Sequence, residues 1–195
     1  RTGFLKLLHL ILRQSGCLLD YTNLSKLSDL SRPTVKAHIE AMCIAHAMFL
    51  LLPFHGRGRR EITHRPKCYA FDTGFVTFIN GWDSIREDDR GLLWEHLVLD
   101  TLRTAIYEAN LYYWRDKSGR EIDFIIKRSG QRVDAIECKI SEEQFDNKSF
   151  FMFRSLYPEG NNFVISPFNK ISYKRIHHNL EINYCSLNNF PLVST

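Results

Sequence analysis

Apolar positions along the chain switch between two periods, and the switches mark out its elements. Over 4–13, Phe4, Leu7, Leu8 and Ile11 recur at helical spacing, and Gly16 supplies a stop. Residues 21–30 carry Leu24 and Leu27 on the inner side of a short helix, with Thr22 or Asn23 as its cap. Ser31-Arg32-Pro33-Thr34 opens a third helix. Ser31 can accept from the amides of the first turn, and Pro33 stands where a missing N–H costs little. Behind it Val35, Ile39, Met42, Cys43 and His46 form a buried stripe that leaves Arg32, Lys36 and Glu40 outside. The pattern then predicts a dense apolar strand over 49–54, a turn at His55-Gly56-Arg57-Gly58-Arg59-Arg60, and a returning strand over 61–63. Two short helices, a capped third helix and a basic hairpin are the winged-helix layout.

The second half reads differently. A strand over 67–71 ends at Asp72-Thr73-Gly74, a short helix covers 73–80, and a long helix covers 90–110. In that helix Leu92, Leu93, Leu97, Val98, Leu102, Ala105 and Ile106 make the predicted buried face, and Glu95 stands among them. A carboxylate in apolar surroundings is costly unless it is paired or bound to a metal. Strands over 111–114, 121–127 and 133–140 follow, joined by turns at 115–120 and 128–131. Strict alternation places Glu121, Asp123 and Ile125 on one face, and Ala135, Glu137 and Lys139 on one face of the next strand. Paired as a hairpin, these strands bring Asp123 close to Glu137, with Lys139 one step beyond. Ser141-Glu142-Glu143-Gln144 has the form of a capping box opening a helix through about residue 156. Further strands are predicted at 163–166 and 182–185, around a basic segment at 170–178.

Composition narrows the class. At 195 residues the chain fits one domain or two small ones, and 44% hydrophobic with 25% charged residues is globular composition. The class is α/β in the broad sense (α+β). The net charge of +4 hides an asymmetry: residues 1–67 hold 11 Lys/Arg against 4 Asp/Glu, whereas 68–195 hold 15 against 18. This suggests a division into a winged-helix unit, 1–67, and a second unit, 68–195. No run approaches the roughly 18 apolar residues of a membrane helix. Cys17, Cys43, Cys68, Cys138 and Cys185 are odd in number and scattered, which points to reduced thiols and a cytoplasmic setting. The chain opens on Arg1 without Met, so a longer polypeptide is expected.

The candidate chemistry lies in Glu95, Asp123, Glu137 and Lys139. Two close carboxylates suit a hard cation such as Mg²⁺ or Mn²⁺, and such an ion polarises a phosphodiester and acidifies water. A lysine beside them can orient that water or offset developing charge. The Glu-x-Lys pattern has little weight alone, since a chain of this length shows about one by chance. Its context on an interior strand, after a strand with an interior Asp, sets it apart. The competing reading is a salt bridge from Asp123 and Glu137 to Lys139 or Arg120. Arg115 and Arg120 either hold phosphates or simply close a turn. Tyr113 and Trp114 either stack on a base or pack a core. His96 is expected to be partly exposed, and His177-His178 is expected to be a solvated pair. In the front unit, Arg32 and Lys36 could contact phosphates or bases, and the tip at Arg57, Arg59 and Arg60 could contact backbone or minor groove; a protein-contact role suits the same surface.

Four segments in order carry a resemblance: Lys67-Cys68-Tyr69-Ala70-Phe71-Asp72-Thr73-Gly74; Gly91-Leu92-Leu93-Trp94-Glu95; Tyr113-Trp114-Arg115 with Gly119-Arg120-Glu121-Ile122-Asp123-Phe124; and Glu137-Cys138-Lys139. Together they resemble the C-terminal half of a large group of prokaryotic AAA-type ATPases. That half joins a winged helix to a fold similar to the PD-(D/E)-x-K restriction-endonuclease superfamily. The resemblance implies Asp123 and Glu137 as metal ligands, Glu95 as an auxiliary ligand and Lys139 as the catalytic lysine. It also implies Mg²⁺ or Mn²⁺ as cofactor, DNA as partner, an ATPase module N-terminal to Arg1, and room for an oligomer. No G-x-x-x-x-G-K-[ST] loop occurs in these residues, so no P-loop nucleotide site is expected of them. Many members of that superfamily only bind DNA or are inactive, so the alternatives are a non-catalytic DNA-binding module or a protein-interaction module that regulates the ATPase.

Overall fold

The computed structural model describes residues 2–55 and 65–192. It is a mixed α+β structure that divides into two compact units, Arg1–Leu52 with Arg65–Arg86, and Pro53–His64 with Glu87–Thr195.

In the first unit the helices α1 (Thr2–Arg13), α2 (Tyr21–Ser28) and α3 (Arg32–Ile44) form as their periodicity predicts. The cap of α2 is Asp20 rather than Thr22 or Asn23. Its carboxylate accepts from the amides of both, at 3.0 and 2.9 Å, and so satisfies two orphan donors with one side chain. Ser31 caps α3 as expected, accepting from Thr34 N at 3.3 Å. Leu7, Ile11, Leu19, Leu24, Val35, Ile39 and Met42 of this unit meet in one core together with Met48 and Cys68.

Strand β1 (Met48–Leu51) pairs antiparallel with β2 (Lys67–Ala70). The predicted return over 61–63 lies outside the described residues, as do Arg57, Arg59 and Arg60. The segment after α1 runs along the other edge of β2: Gly16 N donates to Cys68 O at 2.7 Å and Cys68 N to Cys17 O at 3.0 Å. Helix α4 (Thr73–Asn80) also packs on α1. The segment 67–86 is therefore held by the front unit, and the division falls near residue 86 rather than at 67. The physical cause is non-local pairing, since β2 completes a ladder begun by β1.

The second unit holds a six-stranded mixed sheet in the order β3-β4-β5-β6-β8-β7, made of β3 (Leu111–Arg115), β4 (Glu121–Lys127), β5 (Val133–Cys138), β6 (Asn162–Ile165), β7 (Tyr173–His177) and β8 (Leu180–Cys185). Its helices are α5 (Glu87–Ala105) and α6 (Lys148–Leu156). Pro53 forms a bridge with Tyr113 at the outer edge of β3, so the predicted strand over 49–54 stops at Leu51. The predicted helix over 141–156 is also divided. Ser141 caps only a single 3₁₀ turn, Glu142–Gln144; Phe145 is extended, and α6 starts afresh at Lys148. Phe145 leaves the helical path to pack its ring on Phe150 and Tyr184, with centroids at 5.3 and 6.2 Å.

One irregularity reshapes the strand that carries Asp123. Tyr112 pairs with Ile125 and Trp114 with Ile122, so β4 has one more residue than β3 across this stretch. The extra residue lets Ile122 and Ile125, three apart, enter the same core as Trp114, Ala135, Phe150 and Phe153. The uniform alternation expected of Glu121, Asp123 and Ile125 is interrupted there. Tyr113 and Trp114 are fully buried, which settles them as core residues rather than stacking platforms.

The far end of β5 is fastened by side chains. Buried Asp134 accepts from Arg128 Nε at 2.8 Å and from Asn161 N at 2.8 Å. Arg154 donates to Asn162 Oδ1 and Asn161 O, both at 2.6 Å, to Val133 O at 3.0 Å, and to Tyr157 O and Glu159 O at 3.1 Å. Gly160 lies directly under this junction at φ +126°, and an added Cβ would stand 1.9 Å from Val133 O. Gly160→Ala should therefore cost about 3 kcal/mol or more in urea denaturation, because backbone has to move. A loss below about 0.5 kcal/mol, the range of neutral surface changes, would contradict this packing.

Candidate metal and phosphodiester site

The site forms where the β4–β5 ladder ends. The last backbone pairs run Lys127↔Val133 to Phe124↔Ile136. Beyond them Cys138 N donates to Asp123 Oδ2 at 2.7 Å, so a side chain replaces the next rung. On the other side of β5, Lys139 N donates to Ile165 O at 3.1 Å, continuing the parallel pairing with β6. The same carbonyl accepts from Trp94 Nε1 of α5 at 2.9 Å. One acceptor thus ties the turn of α5 beside Glu95 to the strand end beside Glu137.

The structure brings Asp123, Glu137 and Lys139 together. Lys139 Nζ lies 2.6 Å from Glu137 Oε2 and 4.0 Å from Asp123 Oδ2. The Glu137 side chain is only 7% exposed and that of Asp123 15%, so both carboxylates need a counter-charge. Burial by itself would lower the Lys139 ammonium; the charges of Asp123 and Glu137 outweigh it and hold the group above its ordinary value. The Cys138 thiol is pushed well up, first by burial and then by the negative charges of Asp123 and Glu95. Half-buried Glu95 is therefore within electrostatic reach of the same strand end.

The other predicted residues fall elsewhere. Arg115 is paired with Glu121 at 2.5 Å, and Arg120 with Asp116 at 2.6 Å, so both close their turn by ion pairs. Arg32 and Lys36 are exposed on α3, with Lys36 3.9 Å from Glu40. His177 is half-buried with its Nε2 3.3 Å from Tyr184 Oη, and His178 is exposed at the β7–β8 turn. Sequence reasoning missed the anchoring role of Trp94; its place next to Glu95 was the available signal.

The carboxylate pair fits Mg²⁺ or Mn²⁺ in number. Such ions take one or two protein carboxylates, keep several waters and share substrate phosphate. Among the described residues no group of three His, Cys, Asp or Glu is close enough to hold an ion unaided, so the pair is not a closed cage. Two clefts of about 450 and 550 Å³ share Ile140, Ser141 and Phe168 and begin one residue beyond Lys139.

Comparison with known proteins divides the chain at the same point as its packing. Residues 90–185 match the family described as Domain of unknown function (DUF4143). That domain is commonly found in AAA-ATPase-associated proteins. Residues 1–86 match a second family, Domain of unknown function (DUF8612). Uncharacterized protein Mb2031c of Mycobacterium bovis and Uncharacterized protein Rv2008c of Mycobacterium tuberculosis are each 28% identical over 120 residues, which is 60% of this chain and 27% of theirs. The chain thus matches only about a quarter of the length of these relatives. A chain in the refined half-complex from the tetradecameric assembly of Thermococcus gammatolerans McrB AAA+ hexamers with bound McrC aligns at 12% identity and a TM-score of 0.36. That alignment covers 92% of this chain and 46% of the other. No helix among the described residues is long and apolar enough to cross a membrane.

On α5 the buried face is His96, Val98, Leu99 and Leu102, while Leu97 is 51% exposed. The helix is turned from its predicted orientation, and His96 is 1% exposed rather than partly solvated. Burial lowers its pKa from 6.5 to about 4. An unfolded histidine takes a proton near pH 6.5, whereas folded His96 stays neutral down to about pH 4. Its contribution is complete above pH 6.5 and is lost as pH falls from there toward 4, by about 1.4 kcal/mol per pH unit for one proton. His96→Gln should flatten that part of the stability profile in urea titrations. An unchanged slope in the variant would contradict a buried neutral imidazole.

Proposed function

We propose that this chain is a DNA-directed module of an AAA-ATPase-associated protein, and that its second unit hydrolyses phosphodiester bonds with Mg²⁺ or Mn²⁺. The observation that carries this reading is the convergence of Asp123, Glu137 and Lys139 at one strand end, with Glu95 in electrostatic reach. In this reading Asp123 and Glu137 hold the cation and Glu95 assists as an auxiliary ligand. When bound, the ion supplies positive charge to the phosphodiester and acidifies water. The Cys138 amide keeps Asp123 turned toward the strand end. The Lys139 ammonium offers its charge to the phosphate and orients the attacking water.

The first unit supports a winged-helix reading. Its order is α1, an extended segment bridged to β2 through Leu18, α2, α3, β1 and β2. By that reading α3 presents Arg32 and Lys36 to DNA, and Arg57, Arg59 and Arg60, which lie outside the described residues, are expected to contact it as well. The ATPase module of the same polypeptide is the partner this reading requires.

A second reading has one observation in its favour. The Lys139–Glu137 ion pair satisfies the carboxylate internally, with no metal required. The module would then bind DNA, or a protein partner, without cutting.

A plasmid-nicking assay with Mn²⁺ separates these readings. The wild type should nick, and Asp123→Asn and Lys139→Ala should each lower the rate at least about a hundredfold. Nicking that survives both substitutions would overturn the site assignment. DNA binding without nicking would favour the second reading. In either case affinity should fall steeply with salt, and removing Lys36 should reduce the log–log slope by about 0.9 if it contacts a phosphate. Salt-independent binding would remove DNA as the partner.

A further inference from the structure

The carboxylate pair and its lysine contain a conflict. A divalent ion held by Asp123 and Glu137 needs the space and the negative charge that Lys139 now uses. The ammonium is 2.6 Å from Glu137 and 4.0 Å from Asp123, within ion-pair reach of both groups. It is a short, direct contact to a carboxylate that is almost fully buried.

We infer that Lys139 is the resident cation of this site: its ammonium holds the carboxylate pair in the absence of metal, and a divalent ion enters by displacing it. The inference rests on the metal-dependent reading above and adds a form of regulation to it. Two negative charges face one positive charge at rest. Adding an ion while the lysine stays would place like charges within a few ångströms, in a partly desolvated setting where their repulsion is poorly screened. The lysine must therefore swing away, and its 25% exposed side chain has room to do so. Among the described residues no group of three His, Cys, Asp or Glu is placed to hold an ion, so Glu95 assists without closing a cage that would lock the ion against this competition.

Displacement links metal to substrate. A phosphate bound beside the pair gives the displaced ammonium a new acceptor. Anion and cation then favour each other by the same factor, since coupling between two sites is reciprocal. The free protein would hold metal weakly, and the phosphodiester would complete the site. Such a device suits a hydrolase that must stay silent until its target is in place.

The test measures Mn²⁺ affinity directly, by isothermal titration or by the Mn²⁺ resonance signal, with no substrate and no activity readout. The proteins are the wild type, Lys139→Met, Lys139→Gln and the double variant D123N/K139M. Gln keeps a hydrogen-bonding end and guards against misfolding of the Met variant; melting in EDTA checks that each is folded. Both single variants should bind Mn²⁺ about tenfold tighter than the wild type, a difference of about 1.4 kcal/mol. The double variant should lose that gain. Wild-type affinity equal to or tighter than that of both single variants would overturn the inference while leaving the metal reading intact. A gain that survives Asp123→Asn would also overturn it, by placing the ion elsewhere. Absence of Mn²⁺ binding in every folded protein would overturn the metal reading and this inference together.

Discussion

The amide of Cys138 has no backbone partner on the β4 side, and the site is organised around that fact. The β4–β5 ladder stops at Phe124↔Ile136, and the next donor would be left unpaired next to a tightly packed sheet. A buried N–H without an acceptor costs as much as a lost hydrogen bond, so something must take it. The Asp123 carboxylate does, at 2.7 Å. This single bond explains why an acidic side chain stays turned inward at a sheet end. It fixes Asp123 next to Glu137 and leaves Lys139 to balance both.

Strand β5 is fit to carry such a site because both of its ends are fastened. At its start Asp134 is held by Arg128 and Asn161, and the Val133 carbonyl is held by Arg154. At its end the Ile165 carbonyl receives the Lys139 amide and the Trp94 indole. These contacts join β4, β6, α5 and α6 to one strand. Side chains mounted on a strand so constrained lose little further freedom when a ligand arrives, which is the condition a polar site needs for selectivity. The packed residues between the ends, Ala135 and Ile136, are fully buried and add no polar requirement of their own.

Much of this could be read from residues in order. The helices 2–13, 21–28 and 32–44 follow apolar spacing, and Ser31 with Pro33 marks a helix start by local chemistry alone. The group Asp123, Glu137 and Lys139 was also readable, since hairpin pairing of adjacent strands is a short-range event. What was hidden depended on distant partners. β2 pairs with β1 across some fifteen intervening residues, so a boundary drawn at 67 separated two halves of one ladder. The extra residue in β4 has no sequence mark, yet it moves Ile122 into the core beside Ile125. His96 and Leu97 exchange their expected places while Val98 and Leu102 stay buried, because a rotation of less than the 100° between neighbouring residues is enough to trade them and apolar spacing does not fix so small an angle. The helix expected over 141–156 breaks because Phe145 finds a better place against Phe150 and Tyr184 than in a continuous helix.

The central claim is that Asp123, Glu137 and Lys139 act as one electrostatic unit open to a divalent cation. A crystal soaked in Mn²⁺ tests it most directly, through the anomalous signal of the metal. The account predicts a peak shared by the Asp123 and Glu137 carboxylates, at about 2.0–2.3 Å from their oxygens. It also predicts that Lys139 Nζ has left its 2.6 Å contact with Glu137. Density for a metal elsewhere, or none at all with the Lys139–Glu137 pair intact, would contradict it.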